Sequence, residues 1–412
     1  MKNKKVIVGL SGGVDSSVAA HLLVEAGYDV EGLFMRNWDS AINDDFLGNK
    51  TIGEEICPQE IDYVDAMHVA NQLGIVIHRV DFVQEYWDQV FTHFLEEHKA
   101  GRTPNPDIIC NKEIKFKAFL DHALGLEADL IATGHYARLS KLRCNRNAGL
   151  NRQSQVLCDE GAIRTHDARR TLANTNEPLL EGIRLLRGAD PNKDQSYFLS
   201  QLTRKQLSKA ILPLGHLKKS EVRTIAQKLD LVTAKKKDST GICFIGKRDF
   251  TDFLQNYLPA QPGIMMTLKG KVVGNHIGLM YYTIGQRKGL KIGGAGDAWF
   301  VIGKNTTNNI LFVGQGFHHD YLYANETIVE DVNWISSEKF KGNYLCTAKF
   351  RYRQKDVPVE IEWTDQATLK VKCLEWVRAI TPGQAAVFYN DAVCLGGGFI
   401  SEVFMDGKKR HY

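Results

Sequence analysis

Apolar residues along the first third of the chain form short β-branched runs that alternate with stretches of helical spacing. The runs at 6–8, 30–34, 75–80 and 130–133 predict strands, and the stretches at 60–73, 84–97 and 114–124 predict helices. Strands that alternate with helices are typical of an α/β domain with a parallel sheet. Because ligands of such sheets bind beyond the carboxyl ends of the strands, we expect a site at residues 9–17, 35–37 and 133–135.

The pattern changes in the second half of the chain. Residues 205–212 and 220–229 still have helical spacing, whereas from about residue 258 short alternating runs and glycine turns predict a small β domain. A second β-rich unit follows from about residue 325, and its regular strand spacing favours a barrel or a sandwich. Its predicted strands include residues 344–351, 357–363, 386–389 and 392–399. We therefore expect domains at 1–250, 251–322 and 323–412.

Residues 142–182 differ from the rest of the chain. This stretch has six arginines, no lysine, no aromatic residue and no apolar periodicity. Such a composition buries little surface, so it predicts a mobile surface insertion within the first domain. Cys144, Cys158 and His166 lie there at spacings that match no metal site.

Composition limits the class of protein. The chain has 412 residues, of which 43% are apolar, and no apolar run is long enough to span a bilayer. The basic start, MKNKK, leads directly into the first strand, so we expect no targeting peptide and a cytoplasmic protein. The eight cysteines contain no C-x-x-C pair, which predicts thiols in a reducing compartment. A net charge of +4 says little about partners.

The strongest candidate for chemistry is the sequence GLSGGVDSS at residues 9–17. It follows a predicted strand and opens a predicted helix, and glycines there allow backbone N–H groups to approach a phosphate. Asp15 is placed to hold Mg²⁺, and Ser11, Ser16 and Ser17 to donate hydrogen bonds to phosphate oxygens. The sequence is neither a Walker A motif nor G-x-G-x-x-G. The alternative is a glycine turn that binds nothing.

Two cysteines are candidates for reactive thiols. The sequence TPNPDIIC places two prolines before Cys110, so we expect an extended backbone up to a helix that starts near the cysteine. A helix N-terminus with Lys112 and Lys115 nearby favours the thiolate. Cys243 follows a glycine in DSTGICF, which would allow a movable thiol. Taken alone, each cysteine also fits a buried core position, and Asp107 fits a simple helix cap.

Together these motifs resemble the tRNA-specific 2-thiouridylases (MnmA in bacteria, TrmU in mitochondria). The resemblance includes GLSGGVDSSV, LFMRNW, TPNPDIICNKEIKF, ATGHYARL, LLRGADPNKDQSYFL, DSTGICFIG, YYTIGQRKGL, AKFRYRQ and ITPGQAAVFY, and so covers nearly the whole chain except 142–182. It implies a PP-loop ATP pyrophosphatase domain of the Rossmann-like HUP type with a parallel sheet, a small β-rich central domain and a C-terminal β-barrel.

The resemblance also implies the reaction. ATP would adenylate C2 of the wobble uridine in the tRNAs for Lys, Glu and Gln, and persulfide sulfur would then give 2-thiouridine, AMP and pyrophosphate. Cys110 would be the nucleophile, Cys243 the persulfide carrier, and Asp107 an acid or base. A cysteine desulfurase or a relay carrier would supply the sulfur, and we expect a monomer, no membrane and no metal site apart from Mg²⁺ with ATP. ATP would contact Gly9, Leu10, Ser11, Gly12, Gly13, Val14, Asp15, Ser16, Met35 and Gly134.

The tRNA contacts implied by the resemblance lie in all three expected domains. They are Asn105, Pro106 and Asp107 at the target base, and His135, Lys193, Asp194, Gln195, Arg351, Tyr352 and Gln384 elsewhere. The target uridine would have to leave its stack to reach the site. Arg351 suits a phosphate and Tyr352 suits stacking on a base, although Tyr352 also fits an aromatic residue on a barrel surface.

Two other functions compete with this hypothesis. The first is a PP-loop amide or amine ligase, in which nitrogen attacks the adenylate and no cysteine is needed. The second is a tRNA-binding protein with a vestigial nucleotide site, although the intact loop at 9–17 argues against it.

Overall fold

In the computed structural model, the described residues are 3–47, 49, 58–142, 182–237, 249–336 and 339–411. Cys243 and residues 143–181 lie outside these ranges, so the expectations for that cysteine and for the 142–182 segment stay predictions. No helix in the described ranges is long and apolar enough to cross a membrane.

The strands of the described residues form three sheets. In chain order they are β1 (Lys5–Gly9), β2 (Asp29–Arg36), β3 (Ile77–Asp81), β4 (Leu130–Ala132), β5 (Ala137–Leu142), β6 (Gly182–Arg187), β7 (Ala210–Ile211), β8 (Gly263–Met266), β9 (Val272–His276), β10 (Trp299–Asn305), β11 (Ile310–Gln315), β12 (Tyr323–Trp334), β13 (Tyr344–Lys349), β14 (Val357–Trp363), β15 (Leu369–Arg378), β16 (Ala385–Asn390), β17 (Val393–Met405) and β18 (Lys408–Lys409).

The helices lie mainly in the first 255 residues. They are α1 (Val14–Glu25), α2 (Pro58–Leu73), α3 (Val83–Tyr86), α4 (Thr92–Lys99), α5 (Pro106–Ile109), α6 (Phe119–Gly125), α7 (Arg204–Ser208), α8 (Lys219–Lys228) and α9 (Phe250–Gln255). A π-helical segment, Trp87–Phe91, joins α3 to α4, and a second one, Cys110–Ala118, joins α5 to α6. Short 3₁₀ segments lie at Ser196–Leu199, Leu279–Tyr281 and Asp320–Leu322.

A five-stranded parallel sheet forms the first unit, in the order β3-β2-β1-β4-β7. Successive residues of β1 point to opposite faces, so Val6 and Val8 pack toward α1, α2 and α8, while Ile7 packs toward the helices of residues 83–125. All three side chains are fully buried. The predicted α/β fold with a parallel sheet is confirmed.

The edge strand β7 differs from the sequence-based expectation. Residues 205–212 were predicted as one helix, whereas α7 ends at Ser208, and Ala210 and Ile211 pair in parallel with Ile131 and Ala132. The helical spacing of apolar residues therefore corresponds to a helix of only five residues. Backbone groups of Ala210 and Ile211 find hydrogen-bond partners at the edge of β4. This pairing outweighs the weak preference of the local sequence for one more helical turn.

The C-terminal unit is a closed antiparallel barrel. Six strands follow one another in the order β12-β15-β14-β13-β16-β17, and pairing of β12 with β17 closes the ring. The sheet then continues beyond the barrel, because Leu185 and Leu186 of β6 pair with β17, and β6 pairs with β5. The predicted C-terminal barrel is confirmed, and two strands from the first half of the chain extend its sheet.

The middle of the chain forms a separate four-stranded sheet in the order β10-β11-β8-β9. This sheet confirms the predicted small β domain. Lys304 at the end of β10 is nearly fully buried, and its Nζ donates to the carbonyl of Gly101, 2.7 Å away, just after α4. Burial lowers the pKa of Lys304 from 10.5 to about 7. Neighbouring His98 is also buried, and its pKa falls to about 3, mainly by burial and further by the charge of Lys304.

Lys304 should make stability depend on pH. Between pH 7 and pH 10.5 the unfolded chain binds a proton at this lysine that the folded chain has released, so the free energy of unfolding should rise with pH. We expect a gain of about 2 kcal/mol between pH 7 and pH 9, measured by chemical denaturation, and a flatter profile in Lys304→Met. Lys269→Met, at an exposed turn, is the control and should keep the rise. Equal slopes in Lys304→Met and wild type would contradict the assignment.

Candidate active site

The loop between β1 and α1 is held in shape by its own hydroxyl groups. Ser16 Oγ donates to the carbonyl of Gly13 at 3.0 Å, and the backbone N of Ser11 donates to Ser16 Oγ at 3.2 Å. Ser17 Oγ donates to the same Gly13 carbonyl at 2.8 Å, and Thr233 Oγ1 donates to Ser17 Oγ at 3.1 Å. The serines therefore fix the loop, and α1 begins at Val14 directly behind it, which is the arrangement expected of an anion site.

Asp15 is bound by two residues that sequence reasoning missed. Lys219 Nζ donates to both carboxylate oxygens at 2.7 and 2.8 Å, and the Tyr136 hydroxyl donates to Oδ1 at 2.7 Å. Lys219 is the first residue of α8, and its backbone N donates to Asp190 Oδ2 at 2.9 Å. Tyr136 follows the predicted strand end at 133–135, which was a usable hint, but nothing local marked Lys219, 204 residues from Asp15.

The three strand ends expected to form a site meet in the structure. A Cβ on Gly134 would lie 2.9 Å from the backbone carbon of Asp15, and one on Gly9 would lie 3.4 Å from Cε of Met35. Only a glycine at position 134 lets the end of β4 approach the start of α1 so closely. Among the described residues, no group of three or more His, Cys, Asp or Glu side chains could hold a metal ion by itself.

Within this loop, Gly12 is the glycine whose replacement should do most damage. Its φ is +68°, and a Cβ there would lie 2.1 Å from the carbonyl oxygen of Asp62 in α2. In Gly12→Ala we expect the loop to be displaced, and affinity for ATP, the ligand that the resemblance implies, to fall at least about tenfold. This comes in addition to the roughly 1–2 kcal/mol cost of a left-handed alanine. Calorimetric ATP titration and thermal unfolding would measure the two effects.

Gly74 provides the matched control for this substitution. Its φ is +67°, and a Cβ there would have no atom within 4 Å. Gly74→Ala should therefore show the backbone cost alone, with unchanged ATP affinity. An equal loss of ATP affinity in both variants would contradict a specific role for the loop at Gly12.

The segment that carries Cys110 is helical earlier than predicted. Asn105 caps the helix, its Oδ1 accepting from the backbone N of Asp107 at 3.2 Å, and α5 starts at Pro106. The expectation of an extended backbone up to the cysteine is wrong beyond Asn105, because proline is well accommodated in the first turn of a helix. Cys110 lies one turn into the helix and is almost fully buried.

Burial shifts the pKa of both Asp107 and His135 in the direction that favours the neutral form. Burial raises the pKa of Asp107, and the charge of Lys115 partly offsets the rise. Burial lowers the pKa of His135 well below its usual value, with Lys115 adding to the effect, and Thr133 Oγ1 lies 2.8 Å from its Nδ1. Because Lys115 acts on both groups and Phe116 packs against the ring of His135, the cysteine-bearing helix lies beside the end of β4.

The predicted contacts at 193–195 are one buried and two half-buried side chains. Lys193 is half-buried at the surface. Asp194 is buried and accepts from the backbone N of Gly188 at 2.9 Å and from the Ser196 hydroxyl at 3.0 Å. Gln195 accepts from the backbone N of Tyr136 at 2.9 Å. Asp194 therefore ties this turn to Gly188, just after β6, and Gln195 ties it to Tyr136, just before β5.

The predicted contacts in the C-terminal unit lie at a junction with the other two units. Arg351 donates to the carbonyl of Ile284 at 2.9 Å and to Thr381 Oγ1 at 2.7 Å, while Gln384 Nε2 donates to the carbonyl of Thr103 at 2.7 Å. Tyr352 packs against Phe198, with ring centroids 4.4 Å apart. The structure thus brings the loop at residues 9–16, Met35, Gly134 and His135 to one edge of the parallel sheet. It also brings Gln384 to the segment before Asn105, and Arg351 to Ile284 and Thr381.

Comparison with known proteins gives a consistent result along the chain. Three family models match in order: a tRNA methyl transferase HUP domain at 4–247, a tRNA methyl transferase PRC-barrel domain at 251–315 and an aminomethyltransferase β-barrel domain at 324–400. The chain is 52% identical over 408 residues to a protein of Bacillus thuringiensis (strain Al Hakam) named tRNA-specific 2-thiouridylase MnmA, covering 99% of this chain and 97% of that one.

A second relative matches the chain to the same extent, whereas a solved structure matches it only weakly. A Bacillus anthracis protein of the same name is 52% identical over 405 residues, covering 98% of this chain and 96% of its own. The NMN synthetase structure from Francisella tularensis matches with a TM-score of 0.29 and 16% identity, over 57% of this chain and 67% of that chain, a similarity too low to support a conclusion.

Proposed function

The chain belongs to the tRNA-specific 2-thiouridylases, a family of tRNA sulfurtransferases, and on this basis we propose that it converts the wobble uridine of tRNA to 2-thiouridine in two steps at one site. ATP first adenylates the O2 atom of the uridine, and sulfur then replaces the adenylated oxygen. One observation above all supports this function: the phosphate-type loop at Gly9–Ser16 and the helix that carries Asp107 and Cys110 lie at the same edge of the parallel sheet.

In the first step, the loop binds and orients ATP. Backbone N–H groups at Gly12, Gly13 and the start of α1 face the phosphates, and Lys219 supplies a positive charge at the same place. Uridine O2 forms a bond to the α-phosphorus, the bond from that phosphorus to the β-phosphate oxygen breaks, and pyrophosphate leaves. The N3 proton of the uridine is released, which leaves a neutral adenylated base.

The loop also fits the ion that accompanies ATP. Mg²⁺ neutralises phosphate charge, and it is usually held by one or two carboxylates together with phosphate oxygens and water. Asp15 offers one partly exposed carboxylate of this kind. In the structure Lys219 donates to both oxygens of that carboxylate and Tyr136 donates to one of them, so Lys219 would have to release at least one oxygen before Asp15 could bind Mg²⁺.

In the second step, two cysteines exchange sulfur. A cysteine desulfurase or a carrier protein loads a terminal sulfur on Cys243, and Cys110 attacks the Cys243 Sγ of the persulfide. A Cys110–Cys243 disulfide forms, and the released sulfur atom keeps the electron pair of the broken S–S bond. That sulfur bonds to C2 of the base, AMP leaves with O2, and an external dithiol reduces the disulfide for the next turnover.

Asp107 is proposed as the proton carrier in this site. Burial raises its pKa, and a carboxyl group with a raised pKa can hold a proton near neutral pH more readily than an exposed one. His135 is neutral for the same reason of burial, so it can accept or donate one hydrogen bond at the base without adding charge.

tRNA recognition is proposed at the surface around these groups. Asn105 and Pro106 flank the position of the target base, and Lys193 is the accessible cation of the 193–195 turn. Tyr352, packed on Phe198, presents part of a ring near that turn. Asp194, Gln195, Arg351 and Gln384 would act on tRNA through the backbone segments that they hold. We further propose the tRNAs for Lys, Glu and Gln as substrates, a monomeric enzyme and action in the cytoplasm.

The test is pyrophosphate release by the wild-type protein with unmodified tRNA for Glu. A matched tRNA with cytidine at the wobble position is the control substrate. We expect release only with the uridine tRNA, and formation of 2-thiouridine when a desulfurase and cysteine are added. Pyrophosphate release with a small amine or acid instead would favour the ligase alternative. No release with any tRNA, despite tRNA binding, would favour a binding protein.

A further inference from the structure

Residues 101–104, which lead into Asn105, are held between the central sheet and the barrel. On one side, the buried Nζ of Lys304 donates to the Gly101 carbonyl at 2.7 Å, and Thr103 Oγ1 lies 3.4 Å from Thr283 Oγ1. On the other side, the backbone N of Thr103 donates to the carbonyl of Pro382 at 2.9 Å. This short piece of the first unit is therefore in contact with both β domains.

The barrel residues at 382–384 hold this segment at more than one atom. Gln384 Nε2 donates to the Thr103 carbonyl at 2.7 Å, so both backbone polar groups of Thr103 bond to the barrel. Gly383 has a φ of +87°, and a Cβ there would lie 2.9 Å from the backbone N of Thr103 and 3.0 Å from Cβ of Arg102. The backbones are thus too close for any residue larger than glycine at position 383.

Arg351 binds the residue that precedes the barrel segment 382–384. Its guanidinium joins the carbonyl of Ile284 in the central domain to the hydroxyl of Thr381, immediately before Pro382. The Thr381 hydroxyl in turn donates to the carbonyl of Ala379 at 2.9 Å. Burial lowers the pKa of Arg351, as expected of a guanidinium enclosed at a domain junction.

The segment held in this way is next to the proposed reacting groups. Asn105 follows Thr103 by two residues and caps α5, which carries Asp107 and leads into Cys110. Since a helix cap and the chain just before it fix the entry angle of a helix, displacement at Thr103 would move the whole first turn.

We propose that Gln384, Gly383 and Arg351 are positioning residues that hold the Asn105–Cys110 turn in its reactive geometry. Their contribution to sulfur transfer rests on the proposed function, whereas their effect on Cys110 does not. Gln384 and Arg351 thus contribute to tRNA modification by fixing the helix that meets the base. The barrel is then part of the scaffold of the active site, besides any surface it offers to tRNA.

Two readouts separate positioning from direct tRNA contact in Gln384→Glu, which keeps the shape of the side chain and removes its donor. The first is the alkylation rate of Cys110 in the free protein, mapped by peptide mass spectrometry and compared with wild-type protein treated in parallel. Because Cys110 is buried and reacts only when its segment opens, loss of one hydrogen bond should raise this rate about fivefold or more. The second is tRNA affinity, which should change less than about twofold, while kcat for 2-thiouridine falls and KM for tRNA is kept.

Gly383→Ala gives an independent test if Gln384→Glu folds poorly. It should raise the Cys110 alkylation rate in the same way, because its Cβ displaces Thr103. Gly407→Ala is the matched control: it has a φ of +74° in the same barrel and no atom within 4 Å of an added Cβ, and it should leave alkylation unchanged. An unchanged Cys110 rate in both Gln384→Glu and Gly383→Ala would overturn the proposal.

Weakened tRNA binding is the other overturning result. If Kd for tRNA rises about fivefold or more in Gln384→Glu relative to wild type, and does so also at high salt, where the charge of the new carboxylate is screened, the side chain contacts tRNA directly, whatever the alkylation shows. The alkylation experiment needs neither ATP nor tRNA, so it keeps its meaning even if the chain forms no 2-thiouridine. Failure of the proposed function and failure of this inference are therefore distinguishable.

Discussion

Asp15→Ala should abolish tRNA-dependent pyrophosphate release, lowering kcat/KM by about a hundredfold or more. The carboxylate lies in the first turn of α1 at the phosphate-type loop, and its loss removes the proposed anchor of the ATP-bound ion. The substitution also removes the two hydrogen bonds from Lys219 Nζ to the Asp15 carboxylate, so the lysine is held less firmly at the loop. Pyrophosphate release with unmodified tRNA for Glu, compared with wild type under saturating ATP, measures the effect.

Asp29→Ala is the matched control for this substitution. Asp29 begins β2 in the same sheet and its side chain is exposed, so its removal should change pyrophosphate release by less than about twofold. The melting temperatures of both variants would show whether either one unfolds. Full release by a folded Asp15→Ala protein would exclude this loop as the site of adenylation.

Cys110→Ser should uncouple the two steps of the reaction. Hydroxyl oxygen cannot attack the Cys243 persulfide as thiolate sulfur does, so we expect 2-thiouridine formation to fall by about a hundredfold or more. Adenylation requires no thiol, so pyrophosphate release should stay within about fivefold of wild type. Nucleoside analysis of the tRNA after a reaction with desulfurase and cysteine, run in parallel with a pyrophosphate assay, measures both.

Cys346→Ala is the cysteine control. Cys346 lies in β13 of the barrel, and burial raises the pKa of its thiol to about 12, so it stays protonated and unreactive at neutral pH. Both steps should proceed in this variant. Undiminished 2-thiouridine formation in Cys110→Ser would remove Cys110 from the sulfur transfer and would bring the amide-ligase chemistry back into consideration.

Features that depend on neighbouring residues follow from the amino-acid sequence alone. Three features are adjacent in the chain: the β-branched run at 6–8, the glycine loop after it and the helical spacing behind Val14. They therefore predict β1, the loop and α1 in correct order. The same local logic predicts the parallel sheet and places Gly134 and Met35 at strand ends. The cysteine-bearing motif also predicts a helix at Cys110, although its start at Pro106 was missed.

Contacts between residues far apart in the chain become visible only in the folded structure. Lys219 binds Asp15 across 204 residues, Gln384 binds Thr103 across 281, and β6 joins the barrel sheet through Leu185 and Leu186. No local pattern encodes such pairs, because a hydrogen bond or a strand pairing depends on which backbones the folded core brings within about 3 Å. Burial acts in the same way: Lys304 looks like any surface lysine in the sequence, and only its burial in the folded chain lowers its pKa to about 7.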